Sequence, residues 1–286
     1  MSELFYNAKN LIVSNGFLRN PNRYYLEEYF QQRPRLAADL TPSSADDGND
    51  GATGSEIAAM ISSNKNFMVS GTNATSSSTS FSSTRAGVNL TTGTSANDQV
   101  LISPQVTVNF SAWDNVRFGT ENEVEWECAV SFDNLTEVCY WAGLMNTTNT
   151  PIITTNTDKA FFFFDSGTIA GSGTSMTTSA SLHFCYSVNG THYVTDLGIT
   201  VEADVIYRLR ISIDNNRKIS VFVNEAQYGL TTTSSSTGLT VSNERQKSNQ
   251  LTNDIDLKSF VGVQTTDTTA KVLTLCYEKI SRLLFE

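Results

Sequence analysis

Apolar and polar residues alternate with a period of two along much of the chain after about residue 66. In the segment 123–130, apolar residues stand at every even position and glutamates occupy positions 123, 125 and 127. Successive side chains of a β-strand point to opposite faces of its sheet. The segment therefore predicts a strand with one buried and one solvent-facing side.

Further strands follow from the same pattern. Residues 182–188 and 207–213 also alternate, whereas 138–145 and 160–165 are almost uniformly apolar, which is typical of strands buried on both faces. Asp214 to Arg217 is a turn sequence that predicts a hairpin. About ten short strands separated by turns predict an all-β fold, a two-sheet antiparallel jelly-roll sandwich over residues 66–286.

Residues 1–65 have a different character and predict a separate arm, extended or with short helices, that ends in a linker. The aromatic residues between Pro21 and Pro34 fall near one face of a helix, and residues 41–54 are rich in Ser, Asp, Gly and Asn. Such a segment has too little apolar area to fold alone, so we expect it to anchor on a partner surface. The predicted anchor residues are Phe5, Tyr6, Leu11, Ile12, Tyr24, Tyr25 and Tyr29.

Charge and hydropathy exclude two classes of partner. The formal net charge is −10, and no basic stripe is present, so we expect no binding to nucleic acid. No run of about 18 apolar residues occurs, so we expect no membrane span. The first residues lack the apolar core of a signal peptide, which predicts synthesis in a reducing cytoplasm.

The cysteines and histidines do not predict a metal centre. Cys128, Cys139, Cys185 and Cys276 form no C-x-x-C pair, and the chain has 2 histidines. The acidic segment 46–51 lacks the spaced ligands of a calcium loop. We therefore predict buried thiols, no metal and no cofactor, with a Cys128–Cys139 disulfide as the alternative for the thiols.

No familiar catalytic motif is present, and the sequence predicts a protein that is not an enzyme. One segment is an exception, since Glu123, Glu125 and Glu127 resemble the Glu-x-Asp-x-Glu strand motif of jelly-roll glucanases, with Glu in the middle position. We interpret these carboxylates as a solvated sheet face, and keep Glu123 and Glu127 as the alternative catalytic pair. Trp113 and Tyr193, in predicted loops, are candidate glycan contacts.

Several stretches together resemble one group of proteins. They are Gly87 to Pro104, Ala112 to Cys128, Val205 to Asp214, and the ending Phe260 to Gln264 before Lys271 to Leu275. They are similar to structural proteins of tailed bacteriophages built on a concanavalin-like jelly roll. The resemblance covers roughly residues 65 to 286, and no catalytic residue carries over from it.

The resemblance implies a virion protein assembled in the host cytoplasm, either a capsid decoration or cement protein or a head fibre. Its partners would be the major capsid protein or other virion proteins, reached through the N-terminal arm, and sister subunits in a trimer or larger homo-oligomer. Two alternatives stay open. One is a receptor- or glycan-binding module of a tail or fibre that contacts a host-surface glycan, and the other is a jelly-roll glycoside hydrolase.

Overall fold

The structure is a computed structural model that describes residues 22–36, 63–104, 116–146, 158–166, 179–234 and 245–284. Within these ranges the chain forms strands and a 3₁₀ turn at Ser76–Ser78, and no helix there is long and apolar enough to cross a bilayer. The strands are β1 (Arg23–Glu28), β2 (Arg33–Leu36), β3 (Ser63–Ser70), β4 (Thr79–Phe81), β5 (Val88–Thr91), β6 (Gln99–Pro104), β7 (Phe118–Gly119), β8 (Glu125–Phe132), β9 (Val138–Met145), β10 (Lys159–Asp165), β11 (Ser179–Val188), β12 (Thr191–Thr200), β13 (Ile206–Ile213), β14 (Ile219–Val223), β15 (Ala226–Tyr228), β16 (Asp256–Thr265) and β17 (Val272–Leu283).

The strands form two sheets. Sheet A has the order β15-β14-β13-β8-β17-β5-β4, and β1 also pairs with β17. Sheet B has the order β12-β11-β10-β9-β16-β6-β3-β2, and β7 pairs with β16. Neighbouring strands are antiparallel except for the parallel pair β2–β3. The predicted all-β, two-sheet sandwich is confirmed.

The main core lies between the two sheets, as the alternation predicts. In β8, Trp126, Cys128 and Val130 are fully buried against the opposite sheet, while Glu125 is exposed. β13 alternates in the same way, with Leu209 and Ile211 in this core. Burial of a large apolar side chain stabilises the fold by about 1.5–3 kcal/mol. Because these strands alternate with a period of two, sheet A packs one of its faces against the core.

The inner strands β9 and β10 of sheet B are buried on both faces, which explains their uniformly apolar sequences. Every residue of β9 and β10 is buried. Even-numbered residues of these strands face sheet A, and odd-numbered residues form a second apolar cluster on the outer face. This outer cluster comprises Leu101, Cys139, Trp141, Met145, Phe161, Phe163, Cys185, Val194 and Phe260.

The N-terminal segment differs from its prediction. Residues 23–28 are not helical but form β1, which pairs with Leu283 to Glu278 of β17 in antiparallel register. A run of two tyrosines and a leucine fits a helical face and a strand equally well over six residues, and pairing with β17 decides the outcome. Since β2 joins sheet B, residues 23–36 belong to the sandwich, and the predicted boundary at residue 65 is wrong for them.

A short turn carries the chain from one sheet to the other. Phe30 adopts φ 51°, and its backbone N–H donates to Glu28 Oε1 at 2.7 Å. Its ring is 1% exposed and meets the Phe67 ring edge-on, with centroids 5.4 Å apart. Phe30 thus closes the core between β1 and β2.

The predicted anchor residues divide accordingly. Phe5, Tyr6, Leu11 and Ile12 lie outside the described residues. Tyr24 packs on the main core rather than on an external partner, because β1 is a strand of sheet A. Tyr25 is half-buried, and Tyr29 is 55% exposed beside Tyr277.

The four cysteines are free thiols. Cys128 faces the core between the sheets, whereas Cys139 lies in the cluster on the outer face of sheet B. The alternative Cys128–Cys139 bridge is therefore wrong, since the two thiols lie on opposite sides of sheet B. Burial raises the pKa of both thiols well above the ordinary value.

We predict that Phe30→Ala lowers the free energy of unfolding by about 3–5 kcal/mol, because it leaves a cavity in the core. Tyr29→Ala, one position earlier and exposed, is the matched control and should change it by less than about 1 kcal/mol. Urea denaturation followed by fluorescence measures both. Equal, small effects would show that residues 23–36 are an appended arm.

Candidate functional site: a polar groove at one end of the sandwich

An open groove of about 1280 Å³, including the part open to solvent, lies at one end of the sandwich. Four segments surround it: the connection from β7 to β8, the β13–β14 turn, the residues before β16 and the end of β17. Its lining is mostly polar. The lining residues are Glu121, Asn122, Glu123, Asn215, Arg217, Asn253, Arg282, Leu283 and Leu284.

Backbone hydrogen bonds tie the β7–β8 connection to its neighbours. The Thr120 N–H donates to the Ile255 carbonyl at 3.0 Å, and the Leu283 N–H donates to the Asn122 carbonyl at 2.9 Å. The Thr120 hydroxyl also donates to the Thr252 carbonyl at 2.7 Å. Three walls of the groove are therefore bonded to one another rather than carried by independent loops.

The β13–β14 turn forms the fourth wall, and Asp214 organises it. Asp214 Oδ1 accepts the backbone N–H groups of Asn216 and Lys218, both at 2.9 Å. Burial opposes ionisation of Asp214, but hydrogen bonds from Lys247 Nζ and the backbone outweigh it and lower its pKa. The turn places Arg217 at φ 56°, and its Nε donates to the Leu251 carbonyl at 3.1 Å.

Glu121 and Glu123 supply the carboxylates. Glu121 lies over Gly119, where an added Cβ would stand 2.0 Å from Glu121 Oε1. Glu123 adopts φ 47°, a left-handed conformation that costs a non-glycine residue about 1–2 kcal/mol. Its carbonyl accepts a hydrogen bond from Arg23 Nη2. A strained backbone held in place at the edge of a groove is a common feature of functional sites.

The charged groups of the groove do not pair with one another. Among the described residues, none of Glu121, Glu123, Arg217 and Arg282 forms a salt bridge, although the groove holds two of each sign. Backbone carbonyl oxygens hold the guanidiniums instead. The Leu251 carbonyl accepts a hydrogen bond from Arg217, and the carbonyls of Arg117 and Leu283 accept hydrogen bonds from Arg282. The remaining N–H groups of the two guanidiniums donate to no other described residue.

The structure separates the predicted catalytic pair. Glu123 lines the groove, but Glu127 lies on the outer face of sheet A, where its carboxylate contacts Lys279 Nζ at 3.0 Å and accepts a hydrogen bond from Tyr277. Four residues of extended chain span about 13 Å. Paired carboxyl groups of glycosidases stand about 5–9.5 Å apart. Glu127 is thus neutralised by its neighbours, and Glu121 is the carboxylate that shares the groove with Glu123.

The other predicted site residues do not contribute to the groove. Tyr193 lies in β12 rather than in a loop, and its ring stacks on Tyr186 with centroids 4.7 Å apart. Trp113 lies outside the described residues. No cluster of three or more metal-ligating side chains occurs in the part of the chain that the structure describes.

Most of the groove was not predicted. Arg217 belongs to a turn that the sequence does predict, but Arg282 and Asn253 carry no local signal of a site. They meet only because β17 ends beside the segment before β16. A polar turn sequence next to a strand end is the one feature that points to this region.

No family model matches the chain, and no curated protein matches it. Solved structures share its architecture. A β-glucanase from Bacillus licheniformis is 11% identical with a TM-score of 0.46, over 76% of this chain and 92% of its own. The carbohydrate recognition domain of Emp47p is 8% identical with a TM-score of 0.47, over 78% of this chain and 90% of its own. Likeness at this level is one of fold alone and shows neither a family nor a function for this chain.

The prediction that the chain is not an enzyme is wrong. The similar structures include, besides the glucanase, a native glycosidic hydrolase and a family 7 alginate lyase. The alginate lyase is 10% identical with a TM-score of 0.44, over 74% of this chain and 84% of its own. A single fold can host unrelated functions, so the lack of a familiar motif does not exclude catalysis.

We predict that Glu123→Gly raises the free energy of unfolding by about 1 kcal/mol, because glycine adopts positive φ without strain. Glu125→Gly is the matched control. That exposed residue lies in a regular strand, where glycine costs roughly 0.5–1 kcal/mol. Thermal unfolding of the two variants measures the difference, and an equal loss of stability in both would refute strain at Glu123.

Proposed function

We propose that this protein is a glycan-binding jelly-roll module and that a neutral, hydroxyl-rich carbohydrate binds in the end groove. The observation that carries the proposal is a set of carboxylates, guanidiniums and amides that line one groove, in which the described charged groups form no salt bridge with one another. A sugar hydroxyl both donates and accepts hydrogen bonds. Carboxylates can accept from it, guanidiniums can donate to it, and the amides of Asn122, Asn215 and Asn253 can do either.

The contrast with other charged residues supports this proposal. Outside the lining residues, exposed or half-exposed charged groups do pair, as in Arg117–Asp256 and Lys247–Asp214, each at 2.7 Å. In the groove, opposite charges are kept apart by backbone carbonyls that hold each arginine. Preorganised polar groups lose little conformational entropy when a ligand binds. The arginines therefore present their N–H donors at fixed positions.

The balance of charge favours a neutral ligand. The charges of the two glutamates and two arginines cancel. An acidic glycan would be attracted by the arginines but repelled by the glutamates, so its charge would bring no net gain in affinity. The described lining contains no aromatic ring, and Leu283 and the 41%-exposed Leu284 are its apolar part. Binding would therefore depend on hydrogen bonds more than on stacking, and affinity should change little with salt.

The position of the protein on a phage virion stays a prediction, as do its docking on the capsid and its trimeric or larger assembly. They follow from the sequence resemblance and not from the groove. A glycan-binding groove is compatible with the tail- or fibre-module alternative, in which the ligand would be a host-surface glycan.

A glycan array containing neutral and acidic oligosaccharides, followed by titration calorimetry on the best ligand, tests the proposal. We predict selective binding of neutral glycans. Each of Asn253→Ala and Glu121→Gln should weaken it by about 5–30-fold, as expected for the loss of one hydrogen bond. Asn253 makes no hydrogen bond within the described protein, so its replacement should leave stability unchanged.

Glu127→Gln is the matched control, because this glutamate lies outside the groove on the outer face of sheet A and should bind glycan like the wild type. The absence of any glycan ligand would contradict the proposal, as would affinity that is unchanged in both groove variants. Analysis of the same incubations for released sugar reports whether a bound glycan is also cleaved.

A further inference from the structure

A second cluster of acidic side chains lies inside the sandwich, away from the groove. Glu278 of β17 is completely buried and faces the main core. Its Oε1 accepts a hydrogen bond from Trp126 Nε1 at 2.8 Å. Ser259 of β16 lies next to the same carboxyl, but Ser259 Oγ and Glu278 Oε2 are not placed for a well-formed hydrogen bond.

A serine hydroxyl always carries a hydrogen, so these two oxygens can form one hydrogen bond in either protonation state of Glu278. A protonated Glu278 would donate its O–H at Oε2 to Ser259 Oγ, whereas an ionised Glu278 would accept the hydrogen of the Ser259 hydroxyl. The ionised form, however, places a charge in an apolar interior, and that cost favours the protonated form.

The groups that face Glu278 include no described cation. From β1, Glu28 stands directly opposite Glu278 in the register, and its Oε2 accepts a hydrogen bond from Asn66 Nδ2 at 3.2 Å. From β8, the facing residue is Cys128, a buried thiol. The nearby Lys279 lies on the other face of the sheet, where it pairs with Glu127 at 3.0 Å.

Burial raises the pKa of Glu278 to about 7; Ser259 and Trp126 oppose the rise, and the charge on Glu28 adds to it. Like charges directly opposite one another on neighbouring strands are destabilising. The pairing of β1 with β17 is therefore compatible with a neutral Glu278 and is weakened when Glu278 ionises beside Glu28.

We propose that the Glu28–Glu278 pair is a pH-operated latch that holds β1 against β17 while Glu278 is protonated and releases β1 when it ionises. Among the described strands, β1 pairs with β17 alone, whereas β17 also pairs with β8. Release of β1 is thus the smallest opening that separates the two carboxyl groups and admits water to them. The Phe30 turn and β2 follow β1 in the chain and would loosen with it.

The direction of the effect follows from linkage. The folded pKa lies above the unfolded value, so the stabilisation from Glu278 is fully present below about pH 4.5 and is lost as pH rises through about 7. The pKa of Glu278 is about 4.5 in the open state, where water reaches the carboxyl, and about 7 in the closed state. This difference predicts that the open fraction grows about tenfold between pH 6 and pH 8.5.

Hydrogen–deuterium exchange of the full chain tests the latch, with rates corrected for the intrinsic effect of pH. Amides of residues 23–28 should open about tenfold more often at pH 8.5 than at pH 6, while amides of β8 stay protected. In Glu278→Gln, the amide can donate to Ser259 and accept from Trp126, so the opening of β1 should become independent of pH. Glu127→Gln is the control and should keep the tenfold change.

Equal protection of β1 at both pH values in the wild-type protein would overturn the proposal, and so would an opening of β8 that accompanies β1. If Glu278→Gln does not fold, carboxyl ¹³C titration of the wild-type protein decides the matter. One glutamate should titrate near pH 7, and titration of every glutamate below about pH 5.5 would refute the latch.

Discussion

The pairing of β17 with its neighbours is the constraint on which most of this structure depends. Its first half pairs with β5, its second half pairs with β1, and β8 runs along its other side. Because strand alternation has a period of two, this register sends Glu278 into the core and Lys279 to the outer face. It also brings Arg282 to the end of the sandwich. A shift by one residue would exchange all of these positions.

The two proposed properties of the molecule are consequences of this one strand. At its end, β17 supplies Arg282 and Leu283 to a groove whose other walls come from segments distant in sequence. In its middle, it places a carboxyl where water is excluded and another carboxyl stands opposite. The groove is about 1280 Å³ and open, so a ligand can reach it directly. Glu278 is fully buried, and in the proposed latch solvent reaches it only when β1 moves.

The sequence predicts the parts of the fold that periodicity alone determines. β8 and β13 alternate cleanly, and the uniformly apolar β9 and β10 are buried on both faces, as their composition indicates. The sequence favours a helix at the position of β1, because two tyrosines and a leucine in six residues satisfy either period. Its partner strand lies some 250 residues away in the chain, and no local signal reports that contact.

The candidate site could be predicted only in fragments, for the same reason. Glu123 is recognisable as an unusual carboxylate, but its expected partner Glu127 is neutralised by Lys279, while Glu121 lies beside it in the groove. Arg217 follows from a turn sequence, whereas Arg282 depends on where β17 ends. Side chains that converge from distant segments become a site only once the topology is known.

Disulfide trapping tests the β1–β17 register most directly, because Glu27 and Lys279 are opposite one another in it. We expect the double variant Glu27→Cys and Lys279→Cys to form an intramolecular disulfide under mild oxidation. The pair Tyr25→Cys and Lys279→Cys is two residues out of register, roughly 7–8 Å apart, and should remain reduced. Peptide mapping identifies the bonded cysteines. Preferential bonding of the out-of-register pair, or no bond in either variant, would contradict the account.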